Sequence, residues 1–485
     1  MNQLLTDGKP HPVVRPVLTL CLALAILAVS GLLVPALAQE GQEAHKSTSG
    51  DVTFTKDVKP ILQANCEACH RPGAIAPMAL TTYQSVQPWA RTIKQKVMTR
   101  EMPPWPYDRT IGIQEIKYNR SLSDEDIQTI VNWVDGGAPE GNPADLPRPL
   151  EWPEYSEYWE LAKDFGAPDY TVTTEPYVVA ANGLDQWFDS SVPLEGLEEE
   201  RWIRAIEIRP STPQAAYVFH HGNSSLRQMV DGEEQRNGLI AAAVGKMYDV
   251  LPGDAGMRIV PGAKVETGIH YFPVGEQIMA TMDIGIYLYP KGEVPRFITA
   301  GARTLQADNT TSNTRGPWTK ISPVDAGGVR AVDIFIPPHS TQMVRGTWVV
   351  QEPTRIHSIR GHMHLRGKYQ MVEAIYPDGR REVLSKLDWQ HRWHTTFLFE
   401  DHVQPLLPKG TLVVLTSFFD NTADNPGNPD PDQLVVFGRR SVDEMSHLWI
   451  GRTLFAQEDF DQLVAERKEV LRERAQGDSL VGGGQ

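Results

Sequence analysis

The sequence predicts a multidomain chain: a small all-α domain followed by two all-β sandwich domains. Three observations predict it. At 485 residues the chain is too long for one ordinary core, so two to four domains are expected. From Phe54 to about Gly137 the apolar residues recur at a helical period. After about Asp169 that period changes from 3.6 to 2, and roughly 290 residues of strand-like runs suit two sandwiches better than one.

Taken in order, Lys9 and Arg15 precede a charge-free stretch from Pro16 to Ala38 that ends in Ala36-Leu37-Ala38. That is the pattern of an export signal over residues 1–38, cut before Gln39. The stretch also reaches spanning length, so a membrane anchor is the alternative reading. Residues 39–50 are small and polar, a flexible tether.

Residues 51–142 form the helical domain. VKPILQANCEACH reads as one helix, and TTYQSVQPWARTIKQKVMT as a second, interrupted or started near Pro88. Ser123 and Asp126 have capping-box spacing at the head of SDEDIQTIVNWVDGGA, which ends on Gly136-Gly137. Residues 143–168, rich in proline, acidic and aromatic residues, form a linker along a surface.

Residues 169–310 and 311–460 are the two sandwiches. Their runs RWIRAIEIRP, TGIHYFPV, ATMDIGIYLYP, GTWVVQ, YQMVEAIYPDGR and TLVVLTSFF are often bounded by Pro, Gly or Asp, and ADNTTSNTRGP is the polar loop at their boundary. Residues 461–485 complete a charged surface helix and a disordered tail.

The chain is 41% apolar and 22% charged, a soluble globular composition, and its net charge is −15. With a pI near 5.4, this excludes nucleic acid and anionic membrane surfaces as partners. Of three cysteines, Cys21 lies in the signal, and Cys66 and Cys69 belong to a motif. No cysteine remains for a structural disulfide, although export would permit one.

Cys66-Glu67-Ala68-Cys69-His70 is the c-type haem attachment pattern. Two thiols three positions apart on a helix reach the haem vinyl groups, and the next residue, His70, is aimed at the iron as proximal ligand. The all-α domain is therefore expected to be cytochrome c-like. Met102, in REMPPWPY, is the expected distal ligand because the prolines after it hold the backbone extended; Met78 and Met98 are the alternatives. A haem held by methionine and histidine carries electrons and does not activate oxygen.

A second series of metal-ligating residues follows. It runs His220-His221, His270 in GIHYFP, His362 and His364 in RGHMHLRGK, and Met445 in VDEMSH. Five imidazoles and a thioether, without cysteine, suit copper better than zinc. His362 and His364 are two apart on a strand-like run and share a face, with Met445 as a third ligand; alone, the pair also fits two surface histidines. His220 and His221 are adjacent, so they reach one ion only near a strand end or bulge, and His270 completes that trio. His339, His391, His394 and His402 read as surface or hydrogen-bonded residues, and Trp389 and Trp393 as core. His357 has the opposite parity to His362 and should face away from the metal. His447, near Met445, could support a ligand.

In this ordered set the chain resembles the copper type II, ascorbate-dependent monooxygenases, which include peptidylglycine α-hydroxylating monooxygenase and dopamine β-monooxygenase. The likeness covers roughly residues 165–455. It rests on the paired His220-His221, Ile269-His270-Tyr271, His362-Met363-His364-Leu365-Arg366-Gly367 and Asp443-Glu444-Met445, which match that family's motifs in order. The resemblance implies jelly-roll-type sandwiches with one copper on each. The copper at His220, His221 and His270 would store and relay an electron, and the one at His362, His364 and Met445 would bind O2 and hydroxylate a C–H bond. The front domain is similar to small cytochromes c fused to such modules in bacteria.

Arg360 matches an arginine that contacts the substrate carboxylate in the peptide-amidating members; an ordinary surface ion pair is its other reading. The chain departs from those members at His447 and Trp449, where they have Asn and Tyr, and it lacks the disulfides of the animal enzymes.

The expected function is that of a periplasmic or secreted copper-dependent monooxygenase. Its partners would be a small organic substrate and O2, with electrons arriving through haem c, from ascorbate, or from a donor redox protein. Two other readings are a non-catalytic copper-binding or redox-relay protein, and a carbohydrate- or partner-binding module beside an electron carrier.

Overall fold

The computed structural model describes residues 52–154, 157–243, 246–306, 334–438 and 440–481. The export signal, the tether, Cys21, the loop ADNTTSNTRGP with the 310/311 boundary, and residues 482–485 lie outside the described residues. Among the described residues no helix is long and apolar enough to cross a membrane.

Residues 54–138 carry their own apolar core. The helix Lys59–Asn65 ends just before Cys66. Thr82 caps Tyr83–Val86, and the chain then tightens into a single 3-10 turn at Gln87–Trp89, where Pro88 contributes no N–H. It resumes as the helix Ala90–Met98. Ser123 accepts a hydrogen bond from the Asp126 N–H at 3.0 Å and so caps Asp124–Asp135. The apolar faces of these helices meet at Phe54, Val58, Leu62, Ile93, Ile130 and Trp133.

The remaining chain is mostly strand. A ten-stranded sheet runs from Thr396–Leu398 through Thr354–His362, His447–Leu454, Phe297–Gln306, Ala255–Ile259, Arg201–Pro210 and Met282–Leu288 to Tyr170–Thr173, with Leu406–Leu407 and Tyr248–Val250 attached. Thr354–His362 and Met282–Leu288 are buried along their whole length, because both of their faces are covered. A five-stranded sheet (Tyr107–Gly112, Arg381–Asp388, Gly367–Ile375, Leu412–Asp420, Thr341–Val349) packs at the C-terminal end of the long sheet. A four-stranded sheet (Gln186–Pro193, Lys264–Tyr271, Phe219–Val230, Glu233–Ala243) packs at the other end. The last described element is the helix Gln457–Val481, which takes in residues 477–481 of the tail expected to be disordered.

This corrects the expected fold class of an all-α cytochrome c-like domain followed by two separate sandwiches. The helical segment does not close on itself. Its strand Tyr107–Gly112 adds an edge to the five-stranded sheet, pairing Tyr107 with Leu387 and Gly112 with Ser385. Trp105 and Tyr107 are buried in the C-terminal β core, with edge contacts to Phe397 at 5.0 and 4.9 Å. Lys386 binds Asp108 at 2.7 Å across the same junction. The β part is not cut in two either. Phe297–Gln306 pairs with His447–Leu454 on one side and, in parallel, with Ala255–Ile259 on the other, so one sheet joins both halves. Residues 143–154 run largely exposed along the surface, as a linker should, with Arg71 stacked on Trp152 at 4.4 Å; beyond them Leu161 is buried.

One consequence is measurable. Trp105→Ala is expected to cost about 3–5 kcal/mol of global stability, as for other buried aromatic truncations. In urea unfolding followed by β-sheet circular dichroism, the transition should move to lower urea. A self-contained helical domain would leave that transition where it was.

Candidate metal centre

The ligand candidates from both halves line one cavity of about 950 Å³. His220 and His221 open the strand Phe219–Val230, and the partner register slips there: His270 faces His221, but Tyr271 faces Phe219. The slip is the bulge that adjacent histidines needed to share a face. As a result the ring nitrogens of His220, His221 and His270 converge within 4.8 Å, all three residues being buried. His220 Nδ1 lies 3.1 Å from His221 Nδ1 and 3.3 Å from His270 Nδ1.

Two ligands on one tetrahedral ion, each about 2.0–2.1 Å from it, stand about 3.3–3.4 Å apart, so the trio is spaced as a ligand set. The outer nitrogen of His220 is held by a hydrogen bond, as in metal-binding histidines, whereas that of His270 is near a carboxylate without one. His220 Nε2 donates to the His391 carbonyl at 3.3 Å, and His270 Nε2 lies 3.3 Å from the Asp185 carboxylate.

His362 ends the strand Thr354–His362 and His364 follows it, with ring centroids 5.1 Å apart. His364 Nδ1 donates to the Asp443 carbonyl at 3.1 Å, which leaves Nε2 bare. Met445 lines the same cavity. The two segments are tied together by Glu444, which is wholly buried. Its carboxylate accepts from the backbone N–H of His364 at 2.8 Å, Arg366 at 2.6 Å and Met445 at 3.3 Å. Burial pushes this carboxyl up to about 8, against the pull of those N–H groups.

Burial also holds the imidazoles neutral. It depresses His220 to about 3 and His364 to about 4, and drives His221 and His362 well below their ordinary value. Neutral rings with bare nitrogens are what a metal ion requires.

Four residues stand differently from their expected places. His394, read as a surface or hydrogen-bonded residue, is buried inside the cluster, its ring 5.0 Å from both His220 and His362. His391 borders the same cavity, 5.3 Å from His220. Its backbone, rather than its ring, makes the hydrogen bonds to the cluster. His357 also lines the cavity, because a register slip between Ile356 and Ser358 resets the strand parity. Arg360 is not a surface ion pair: it is 1% exposed, lies over Trp449 at 4.7 Å and donates to Asn223 Oδ1 at 3.0 Å. Its Nε and Nη2 have no hydrogen-bond partner among the described residues. His447 stacks beside His362 at 6.0 Å, and Trp389 donates to the His364 carbonyl at 2.8 Å. Two histidines spaced i, i+3, each within two residues of a tryptophan in Trp389-Gln390-His391-Arg392-Trp393-His394, were the available signal for His391 and His394.

The Cys66–His70 turn lies elsewhere. His70 N–H and Cys69 N–H both bond to the Cys66 carbonyl, at 2.8 and 3.1 Å, which winds the three residues into one turn. Both thiols are free, and burial pushes Cys66 up to about 12. His70 Nδ1 donates to the Met78 carbonyl at 3.1 Å, leaving Nε2 for an axial bond. Two thiols and a bare imidazole nitrogen on one turn fit a covalently attached haem. Met102 lines a separate cavity of about 260 Å³ with Val97, Trp105, Leu122 and Gln390, and no residue of the Cys66–His70 turn borders it. Met78, by contrast, packs on the same core as Cys66.

No family model and no curated protein matches the chain. Two solved structures with a partly similar backbone path are the major capsid protein P2 from bacteriophage PM2 and the recombinant N-glycanase F. The first has 10% identity, covers 59% of this chain and 98% of its own, and has a TM-score of 0.23. The second has 10% identity, covers 59% and 100%, and has a TM-score of 0.25. Likenesses this weak bear on neither fold family nor function.

Proposed function

We propose that the chain is an exported copper-dependent monooxygenase that hydroxylates a C–H bond of a small organic substrate with O2, its electrons supplied through a c-type haem, ascorbate or both. One observation carries this reading: the ring nitrogens of His220, His221 and His270 converge at ligand spacing in a cavity that His362, His364 and Met445 also line, with the His362 ring 5.8 Å from that of His221. His220, His221 and His270 would hold one copper, His362, His364 and Met445 the other, and Cys66, Cys69 and His70 the haem. The copper would supply oxygen binding and one-electron chemistry, and the haem an electron store.

The chain's own residues do the rest. Asp185 and the carbonyls of His391 and Asp443 orient the rings; Glu444 fixes the His364 and Met445 segments in register. Arg360 offers its two unused N–H positions to the cavity, where an anionic group on a substrate would satisfy them. Asn223 and Trp449 hold the guanidinium in place.

The test is oxygen uptake by the copper-loaded full-length protein across a screen of small organic acids. Uptake matched by hydroxylated product, and lost in Met445→Ala, is the expected outcome. A relay protein would show uptake coupled to no product, in wild type and Met445→Ala alike.

A further inference from the structure

We infer that His394 is a further metal ligand, bound through Nδ1 at the site of His362, His364 and Met445, and that it joins the two sites into a single histidine-walled centre. The inference rests on the copper reading above. Three features of the structure point to it.

The first is spacing. His394 Nδ1 stands 3.2 Å from His362 Nδ1, within the range of the nitrogen separations in the His220 trio. At that distance the two nitrogens share either a proton, in a hydrogen bond from His362 Nδ1–H to His394 Nδ1, or a metal ion.

The second is the tautomer. His394 Nε2 donates to the His391 carbonyl at 2.9 Å, so its proton is on the outer nitrogen and Nδ1 is bare. The same carbonyl takes the Nε2 proton of His220. One acceptor thus orients a member of the first trio and His394 alike, the arrangement that metal-binding imidazoles use.

The third is position. His394 is 1% exposed and stacks on His221 at 4.6 Å with the rings 12° apart, while His362 lies 5.0 Å away. Trp389 closes against it at 4.8 Å. Without metal, His394 Nδ1 has only the His362 ring as a hydrogen-bond partner among the described residues. A ligand uses that nitrogen. His394 would then form the wall common to both ions, with His221 of one site stacked on His394 of the other.

The experiment uses full-length protein loaded with copper. Copper is titrated against a competing chelator, and the number of imidazole nitrogens per copper is read by X-ray absorption. Six histidines over two coppers give an average of about three; five give about two and a half. His394→Ala is expected to bind the second copper at least 10–100-fold more weakly, which is the loss expected when even a supporting residue is removed. At saturating copper its imidazole count should fall, while the copper at His220, His221 and His270 is retained.

His391→Ala keeps the backbone carbonyl and should match wild type. Metal-free melting of each variant reports folding, and His394→Asn replaces His394→Ala if the latter does not fold. If the His394 variant keeps both affinity and nitrogen count, His394 is only a hydrogen-bond partner and the inference is overturned, with the copper reading intact. If wild type binds no copper, both fall.

Discussion

Acidifying the metal-free protein from pH 6.5 towards pH 4 is expected to unfold it steeply. Eight imidazoles that line the large cavity have folded values below their ordinary one: His220, His221, His270, His357, His362, His364, His391 and His394. Burial is the leading cause for each. In this pH window the unfolded chain binds protons that the fold refuses. The stability held in the neutral rings is therefore complete above pH 6.5 and lost as the pH falls towards 3–4, where His220, His357, His364 and His391 sit.

Each group that titrates only in the unfolded state removes about 1.4 kcal/mol per pH unit, so a few acting together outweigh a typical domain's reserve. Three buried carboxyls act in the opposite sense. Glu207, raised to about 7, Glu444, raised to about 8, and Asp249 hold protons in the fold that the unfolded chain has released. They favour the fold as pH drops towards 4–5, but eight imidazoles exceed three carboxyls. Melting temperature against pH measures the balance, and bound copper should shift the collapse to lower pH because protons must displace it. A melting temperature that stays level from pH 7 to pH 4.5 would show that the cluster is open to water.

Glu444→Gln should cost the second copper site 10–100-fold in affinity while leaving the His220 trio unchanged. The Glu444 carboxyl receives three backbone N–H bonds, from both segments that carry ligands of that site. Above about pH 8 it is an acceptor-only carboxylate, so the comparison is made there. A carboxamide supplies one acceptor oxygen, and its NH2 is turned against at least one of those donors. Leaving buried donors without a partner adds about 1–3 kcal/mol of destabilisation. Chelator competition with each variant, alongside urea melts, separates the two effects. Equal affinity in wild type and Glu444→Gln would mean that the loops keep their register by other contacts.

These effects depend on features that were unevenly legible in the sequence. The Ser123 cap and the break at Pro88 are local and follow directly from residue chemistry. Adjacent His220 and His221 demanded a bulge or strand end, and the register slip at His270/Tyr271 supplies one. His357 was misplaced by parity because a one-residue bulge has no mark in the pattern of apolar residues.

The all-α domain failed for a related reason. The prolines around Trp105 suggested a loop, yet beyond them Tyr107–Gly112 is free to pair as an edge strand, where proline flanks are tolerated. The continuity of the long sheet rests on a parallel pairing of Phe297 and Ile298 with Ala255 and Gly256, too short to read from periodicity. His394 carried only its i, i+3 spacing from His391; its position is set by the strand Thr396–Leu398, which follows it and pairs with Thr354–His362. Glu444 lay inside a recognised motif, but its bridging of two ligand segments is visible only once they are brought together.

The most direct measurement is anaerobic stopped-flow on the full-length protein with haem reduced beforehand and copper loaded, mixed with O2 and a substrate-range organic acid. The account predicts that the ferrous haem spectrum decays to ferric on mixing, and that the decay disappears when copper is omitted or His362 is replaced by alanine. Haem that stays reduced, or that reoxidises at the same rate without copper, would contradict it.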